Sequence, residues 1–445
     1  MPMTAPLTVE DDELALLTDL YQLTMTQAYW REGMGDSATF SLFFRRLPDE
    51  RRFMLACGQQ HAAERVSRLR FGERAIARLA ETGRFDDAFL DWLANWRFEG
   101  DIWTLPEGTP VFADEPLLEV DAPIAQAQLL ESLIMNLVQL ETVLASKAVR
   151  LVMAARGRPV VDFGLRRMHG VDAAVRGVRA YRTAGLAGTS NVLGGLRHDL
   201  PLNGTMAHSY ILAHDSEREA FRAFAHHMPD TTLLVDTHDT LAGIREVIGL
   251  LRDEPDLRIG AIRLDSGHLE ELARHARRLL DDAGLGDVKI VASSGLDEYA
   301  IDALIRADVP IDAFGVGTQL GASADAPVID LSYKLVEYAG EPRVKHAPGK
   351  VNLPGRKQVY RHLDGAGRLA GDTLAGRDEP LDHGSPLLVR SVSRGQPDPD
   401  GMALAASARE RVEEVRRRLP ESLARLDAGD SDYPVTLSEG LAAWR

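Results

Sequence analysis

The residues of this chain best suited to chemistry stand together in Asn203-Gly204-Thr205-Met206-Ala207-His208-Ser209. The stretch follows a short apolar segment and precedes a helical one, so it reads as a loop where a strand hands over to a helix. Gly204 lets a ligand approach the backbone closely, and Thr205, His208 and Ser209 add polar side chains. A neutral imidazole is a nucleophile or base near neutral pH, and it is also a ready hydrogen-bond partner for backbone groups at a strand end. The motif alone leaves both readings of His208 open.

The same texture recurs after other short apolar runs. Phe163-Gly164-Leu165-Arg166-Arg167, Thr189-Ser190-Asn191, Asp236-Thr237-His238-Asp239, Arg263-Leu264-Asp265-Ser266-Gly267, Ser293-Ser294-Gly295-Leu296-Asp297 and Gly315-Val316-Gly317-Thr318 are all polar or glycine-containing turns. In the last, glycines bare backbone N–H groups and Thr318 adds a hydroxyl, the make-up of a phosphate loop. A barrel aldolase or isomerase would share such a loop, but it should also carry a lysine or paired acids at a strand end. Lys289 begins a strand, and the next lysine is Lys334. A non-enzymatic nucleotide-binding scaffold would leave His208, Ser209, Asp265 and Arg166 idle. His226, His227 and His238 lack the spacing of a metal site.

The elements that must position these turns follow a strand-then-helix rhythm from Pro159 onward. Expected strands are 159–163, 188–192, 202–206, 232–236, 259–264, 288–292 and 311–316, with clear helical spacing at 241–251 and 269–280. Their carboxyl ends are where such folds collect functional groups. The rhythm predicts an α/β fold with an irregular parallel β/α barrel at 156–330; periodicity leaves a doubly wound open sheet as the alternative. Residues 1–155 read as an α+β domain: a helix over 13–31, a strand over 38–45 with Arg45-Arg46 at its exit, helices near 59–80 and 85–95, two strands around 108–121, and a long apolar helix over 124–153. Tyr21 falls on or beside the apolar stripe of the first helix, as a core residue or as a ring that stacks on a planar ligand. Residues 331–445 begin with a strand bearing Lys334, include a helix over 405–419 closed by Pro420, and are expected to pack back on the first domain.

With 445 residues the chain exceeds what one core usually serves. The formal net charge of −16 repels nucleic acid and anionic membranes, so phosphate chemistry must rely on local cations. Of the basic groups Arg45-Arg46, Arg51-Arg52, Arg166-Arg167 and the set Lys345, Lys350, Arg356 and Lys357, a solvated charged face suits Arg51-Arg52; Arg166-Arg167, with glycine and apolar neighbours, suits it less. One cysteine, Cys57, excludes a disulfide within the chain, and residues 1–12 carry no basic targeting region. The apolar run 129–148 is broken by Glu131, Asn136 and Glu141, which fits a core helix rather than a membrane span. The expectation is a cytoplasmic enzyme acting on small molecules, with no membrane and no nucleic acid.

The set of turns resembles the nicotinate phosphoribosyltransferase family. The pieces that carry the resemblance are Leu17-Thr18-Asp19-Leu20-Tyr21-Gln22, Phe163-Gly164-Leu165-Arg166-Arg167, Ser190-Asn191-Val192, Gly204-Thr205-Met206-Ala207-His208-Ser209, Arg263-Leu264-Asp265-Ser266-Gly267, Gly315-Val316-Gly317-Thr318 and Tyr333-Lys334-Leu335-Val336. The resemblance implies transfer of 5-phosphoribosyl from phosphoribosyl pyrophosphate (PRPP) to nicotinate, coupled to ATP hydrolysis through a phosphorylated His208. It also implies Mg²⁺ and a homodimer. It gives Tyr21, Thr205 and Arg263 to nicotinate, Arg166, Ser209, Gly315, Gly317, Thr318 and Lys334 to phosphate or PRPP, and a catalytic part to His208 and Asp265; metal ligands stay unassigned. A sibling enzyme using nicotinamide or quinolinate is the rival. One departure is His268, where the family pattern has an acid.

Overall fold

A computed structural model describes residues 9–345, 352–427 and 433–444. Lys350 and residues 1–8 lie outside the described residues. The chain divides into two compact units: residues 1–146 with 326–445, and residues 147–325. No helix among the described residues is long and apolar enough to cross a membrane.

The first unit is built on a seven-stranded sheet with Leu331–Tyr338, Ser37–Phe44, Leu118–Pro123, Asp101–Thr104 and Val389–Ser393 at its centre. These inner pairings are all antiparallel. Strand Ser37–Phe44 is buried along both faces beyond Ser37, which is why its sequence shows aromatic residues at adjacent positions. Phe40 stacks on Tyr333 of the neighbouring strand at 5.0 Å between centroids. A second sheet of Ser385–Pro386, Lys357–Leu363, Leu369–Gly376 and Val435–Leu437, and a two-stranded one of Met54–Leu55 with Pro110–Val111, also belong to this unit.

Several buried charges in this unit are paired. Glu119 lies 3.0 Å from Lys357 Nζ and 2.5 Å from an Arg377 guanidinium nitrogen. These cations hold the Glu119 carboxyl below its usual range although burial pushes the other way. Lys357 is therefore a buried counter-ion rather than part of a solvated face. Arg51 is likewise buried, at 2% exposure, whereas Arg166 and Arg167 are exposed. The solvated face expected for Arg51 is thus corrected, because neighbouring residue types did not report which segment the fold covers; Arg166, although exposed, lines a cavity.

The second unit is a curled parallel sheet of six strands in the order Gly188–Thr189, Val160–Asp162, Ala313–Val316, Lys289–Ala292, Ile259–Leu264, Thr231–Leu234. Helices Val171–Ala184, Thr240–Asp253, Leu269–Asp282 and Glu298–Arg306 connect them with the expected amphipathic spacing. Of the expected strand 202–206 only a single bridge, Thr189 to Leu202, forms. Asn203 to Ala207 make no strand and are available as loop. Among the described residues the two outer strands do not pair, so the sheet is a half-barrel.

Candidate active site

Parallel register decides which strand-end residues meet. Leu264 pairs with Ala292, and Arg263 with Leu234. The residues just beyond, Asp265, Ser293 and Asp236, therefore leave the sheet side by side. The Asp265 N–H donates to Asp236 Oδ2 at 2.9 Å, and Ser266 Oγ donates to the same oxygen at 2.5 Å. Ser293 Oγ donates to Asp265 Oδ1.

Arg263 sits in the middle of this group with its side chain 14% exposed. Its Nε donates to Ser293 Oγ at 2.8 Å, Nη1 to Thr205 Oγ1 at 3.0 Å, and Nη2 to Asp265 Oδ1 at 2.8 Å. The Phe163 ring lies 5.2 Å from the guanidinium carbon, a cation–π contact. Five N–H groups on a guanidinium outnumber these three acceptors, so donors remain for an added carboxylate or phosphate.

Asp162 closes the strand Val160–Asp162 and is buried. Its Oδ2 accepts from Thr189 Oγ1 at 2.6 Å and its Oδ1 from the Gly164 N–H at 2.7 Å. Burial pushes its carboxyl above the usual range, and these two donors partly offset that. The contact pins the turn that becomes the short helix Leu165–Arg167 and carries Arg166. Beside it, Val316 pairs with Asp162, so Phe163 and Gly317 follow as neighbours. A Cβ on Gly315 would meet the Phe163 ring at 2.3 Å. Glycine at 315 is thus demanded by that ring, from inside the strand Ala313–Val316.

These side chains line two cavities of the second unit. One, about 610 Å³, is bounded by the 203–208 loop with Phe163, Arg166, Arg263 and Asp265. The other, about 180 Å³, shares those four residues and adds Ser293, Ser294, Gly315, Gly317 and Thr318. His208, half-buried at the start of helix His208–Leu212, places Nδ1 3.0 Å from Thr237 Oγ1. Nothing lies within 4 Å of where a Gly204 Cβ would stand, so that glycine faces the open cavity.

Of the expected site residues, Thr205, His208, Arg166, Arg263, Asp265, Gly315, Gly317 and Thr318 line these cavities. Ser209 is exposed on the helix after His208 and lines neither of them. Tyr21 and Lys334 belong to the first unit. Tyr21 is 48% exposed, which removes the core-packing alternative. It borders a groove with Asp19 and Glu131, and burial followed by Glu131 pushes its hydroxyl pKa up to about 12. Lys334 is half-buried opposite Ser41 in the antiparallel sheet. His268 is exposed at the start of helix Leu269–Asp282 and makes no side-chain cap bond there. Ser293, Asp236, Thr237 and Phe163 drew no role from the sequence; their position at strand ends was the only signal available.

Comparison with known proteins agrees with this arrangement. Residues 16–139 match the nicotinate phosphoribosyltransferase N-terminal domain, and residues 159–346 match the nicotinate phosphoribosyltransferase family. The chain is 49% identical over 428 residues to nicotinate phosphoribosyltransferase pncB2 of Mycobacterium tuberculosis, covering 96% of this chain and 92% of that protein. It is 38% identical to the nicotinate phosphoribosyltransferase of Bacillus subtilis over 382 residues, 84% of this chain and 78% of that one. The crystal structure of human nicotinic acid phosphoribosyltransferase superposes with a TM-score of 0.84 at 28% identity, covering 96% of this chain and 99% of the human one. With both of its units matched and its cavities at the carboxyl ends of the half-barrel, this chain belongs to the nicotinate phosphoribosyltransferase family.

Proposed function

We propose that the protein transfers 5-phosphoribosyl from PRPP to the ring nitrogen of nicotinate, releasing pyrophosphate and forming nicotinate mononucleotide, with ATP hydrolysis coupled through a phosphorylated His208. The observation that carries this reading is that Arg263 of the strand Ile259–Leu264, Arg166 of the turn after Val160–Asp162 and His208 at the start of its helix line one cavity. The activity named for the relatives from Mycobacterium tuberculosis and Bacillus subtilis supports it.

In the transfer, the C1–O bond to pyrophosphate breaks as the ring nitrogen's lone pair forms the C1–N bond. Positive charge grows on the ribose and negative charge on the leaving group, so the task is one of positioning and electrostatics. Arg263 holds the nicotinate carboxylate with Thr205 beside it. Arg166, Thr318 and the backbone at Gly317 hold phosphate oxygens. Tyr21, Lys334 and Ser209 keep the parts that the resemblance gives them, stacking for Tyr21 and phosphate binding for the other two. In the coupled step neutral His208 attacks the γ-phosphorus of ATP, and the bond to the bridging oxygen breaks with ADP leaving.

Mg²⁺ fits the donor set. Among the described residues, the only group of three or more His, Cys, Asp and Glu side chains close enough to share an ion is Cys57, Glu107 and Glu141, in the first unit. Mg²⁺ takes one or two carboxylates plus phosphate oxygens and water. Asp265 lines both cavities, and the buried Oδ1 of Asp236 has no hydrogen-bond partner. These two carboxylates would hold the ion, which when bound neutralises pyrophosphate charge.

The protein is proposed to work as a cytoplasmic homodimer. Val192, Leu193 and Leu196 on one surface, and Leu17, Leu20 and Tyr21 on another, are exposed apolar groups of the kind a second copy covers. The test of the reaction is product formation from PRPP and Mg²⁺ with nicotinate, nicotinamide or quinolinate, each with and without ATP. Nicotinate mononucleotide made faster with ATP is expected; preference for another ring, or no nucleotide at all, refutes the assignment.

A further inference from the structure

We propose that Ser293 is a positioning residue for nicotinate recognition, holding Arg263 and Asp265 in the geometry that presents the guanidinium to the substrate carboxylate. The inference rests on the reading of Arg263 given under Proposed function. Ser293 is 2% exposed, and its hydroxyl does two things at once: it accepts from Arg263 Nε at 2.8 Å and donates to Asp265 Oδ1. Asp265 Oδ1 in turn accepts from Arg263 Nη2. The three side chains form a closed triangle in which each fixes the other two.

Arg263 has several rotatable bonds, and a carboxylate recognised through two N–H groups needs the guanidinium plane held in one orientation. Thr205 and Asp265 engage Nη1 and Nη2, but only Ser293 engages Nε, the nitrogen nearest the stem. That contact adds a fixed point next to the stem, so the guanidinium is held at all three of its nitrogens. The chain is shaped to provide it. Ser294, with φ of 93°, and Gly295, with φ of 63°, are both left-handed and turn the backbone away from the strand immediately after Ser293. A serine in that conformation persists where its surroundings over-determine it.

The test is steady-state kinetics of Ser293→Ala and Ser293→Cys, the second keeping the side chain's size but offering only a weak hydrogen-bonding group. Both are expected to raise KM for nicotinate by about 10- to 100-fold, the span that a lost hydrogen bond to a charged group represents. The fall in kcat should be smaller, and KM for ATP should not move. In an Arg263→Lys background, which has no Nε–H to receive, the added effect of Ser293→Ala should largely disappear. An unchanged nicotinate KM in both variants overturns the proposal, as does an equal loss in every parameter together with a lower Tm. So does an effect undiminished in the Arg263→Lys background. A wild-type protein that does not use nicotinate at all overturns both this proposal and the functional reading beneath it.

Discussion

Arg263 Nη2 donates to Asp265 Oδ1 at 2.8 Å across a distance of two residues in sequence, from the penultimate residue of a strand to the loop that follows it. A carboxylate that already neutralises the arginine tempers its charge, so a substrate carboxylate is recognised by geometry as much as by attraction. Replacing Arg263 by alanine leaves Asp265 without its counter-ion and removes the proposed partner of nicotinate. The expected cost is about 2–5 kcal/mol in kcat/KM for nicotinate, the range for truncating one member of a buried charge pair. ATP hydrolysis measured without nicotinate should fall far less, and equal losses in both assays would sink the role.

His208→Ala should abolish transfer of label from γ-labelled ATP to the protein and remove the ATP stimulation of nucleotide formation. An ATP-independent rate should remain, because Arg263, Arg166 and Asp265 still line the cavity. Label retained by the variant would move the phosphorylated residue elsewhere.

Gly315→Ala places a methyl group where the Phe163 ring now stands 2.3 Å from the Cβ position. Overpacking of this kind costs about 1–3 kcal/mol, so thermal unfolding should show a lower Tm. The ring must shift off Arg263 as well, since Phe163 contacts both. Combining the change with Phe163→Leu should recover part of the lost stability; a Tm unaltered by Gly315→Ala would contradict the packing argument.

Glu115 supplies a pH dependence in the first unit. Its Oε1 is buried without a donor to accept from, while Oε2 accepts from the Phe112 N–H at 2.9 Å. Burial, followed by the adjacent Asp372 carboxylate, pushes its pKa well above the usual range against the pull of Arg361. A proton on Glu115 turns the orphaned oxygen into a donor to Asp372. Because the folded value lies above the unfolded one, the folded chain binds this proton more tightly. The contribution is complete below the unfolded value of about 4.3 and is lost as pH rises from there through the folded value. Glu115→Gln carries a permanent donor, so its Tm should vary less with pH in that window and should exceed the wild-type Tm at alkaline pH. Parallel Tm curves for the two proteins would rule this out.

The sequence by itself determined the order of strands and helices, because apolar spacing reports which face of each element is buried. It also marked the polar turns at the strand ends, since glycine and small polar residues in register are local features. Tertiary structure alone decided which of these turns converge. Ser293 meets Arg263 across 30 residues, and Asp265 meets Asp236 across 29, because neighbouring parallel strands are held in one register. The same holds for burial: Lys357 and Arg51 are inside and Tyr21 is outside, although their sequence surroundings suggest otherwise or leave it open. Residues 203–207 form a loop rather than a strand: past the Thr189–Leu202 bridge and the bond from the Asn203 N–H to the Thr189 carbonyl, no ladder continues among the described residues. Local pattern fixes what a segment prefers; partners distant in sequence decide whether that preference is met, since only they supply the buried contacts and hydrogen bonds that hold it.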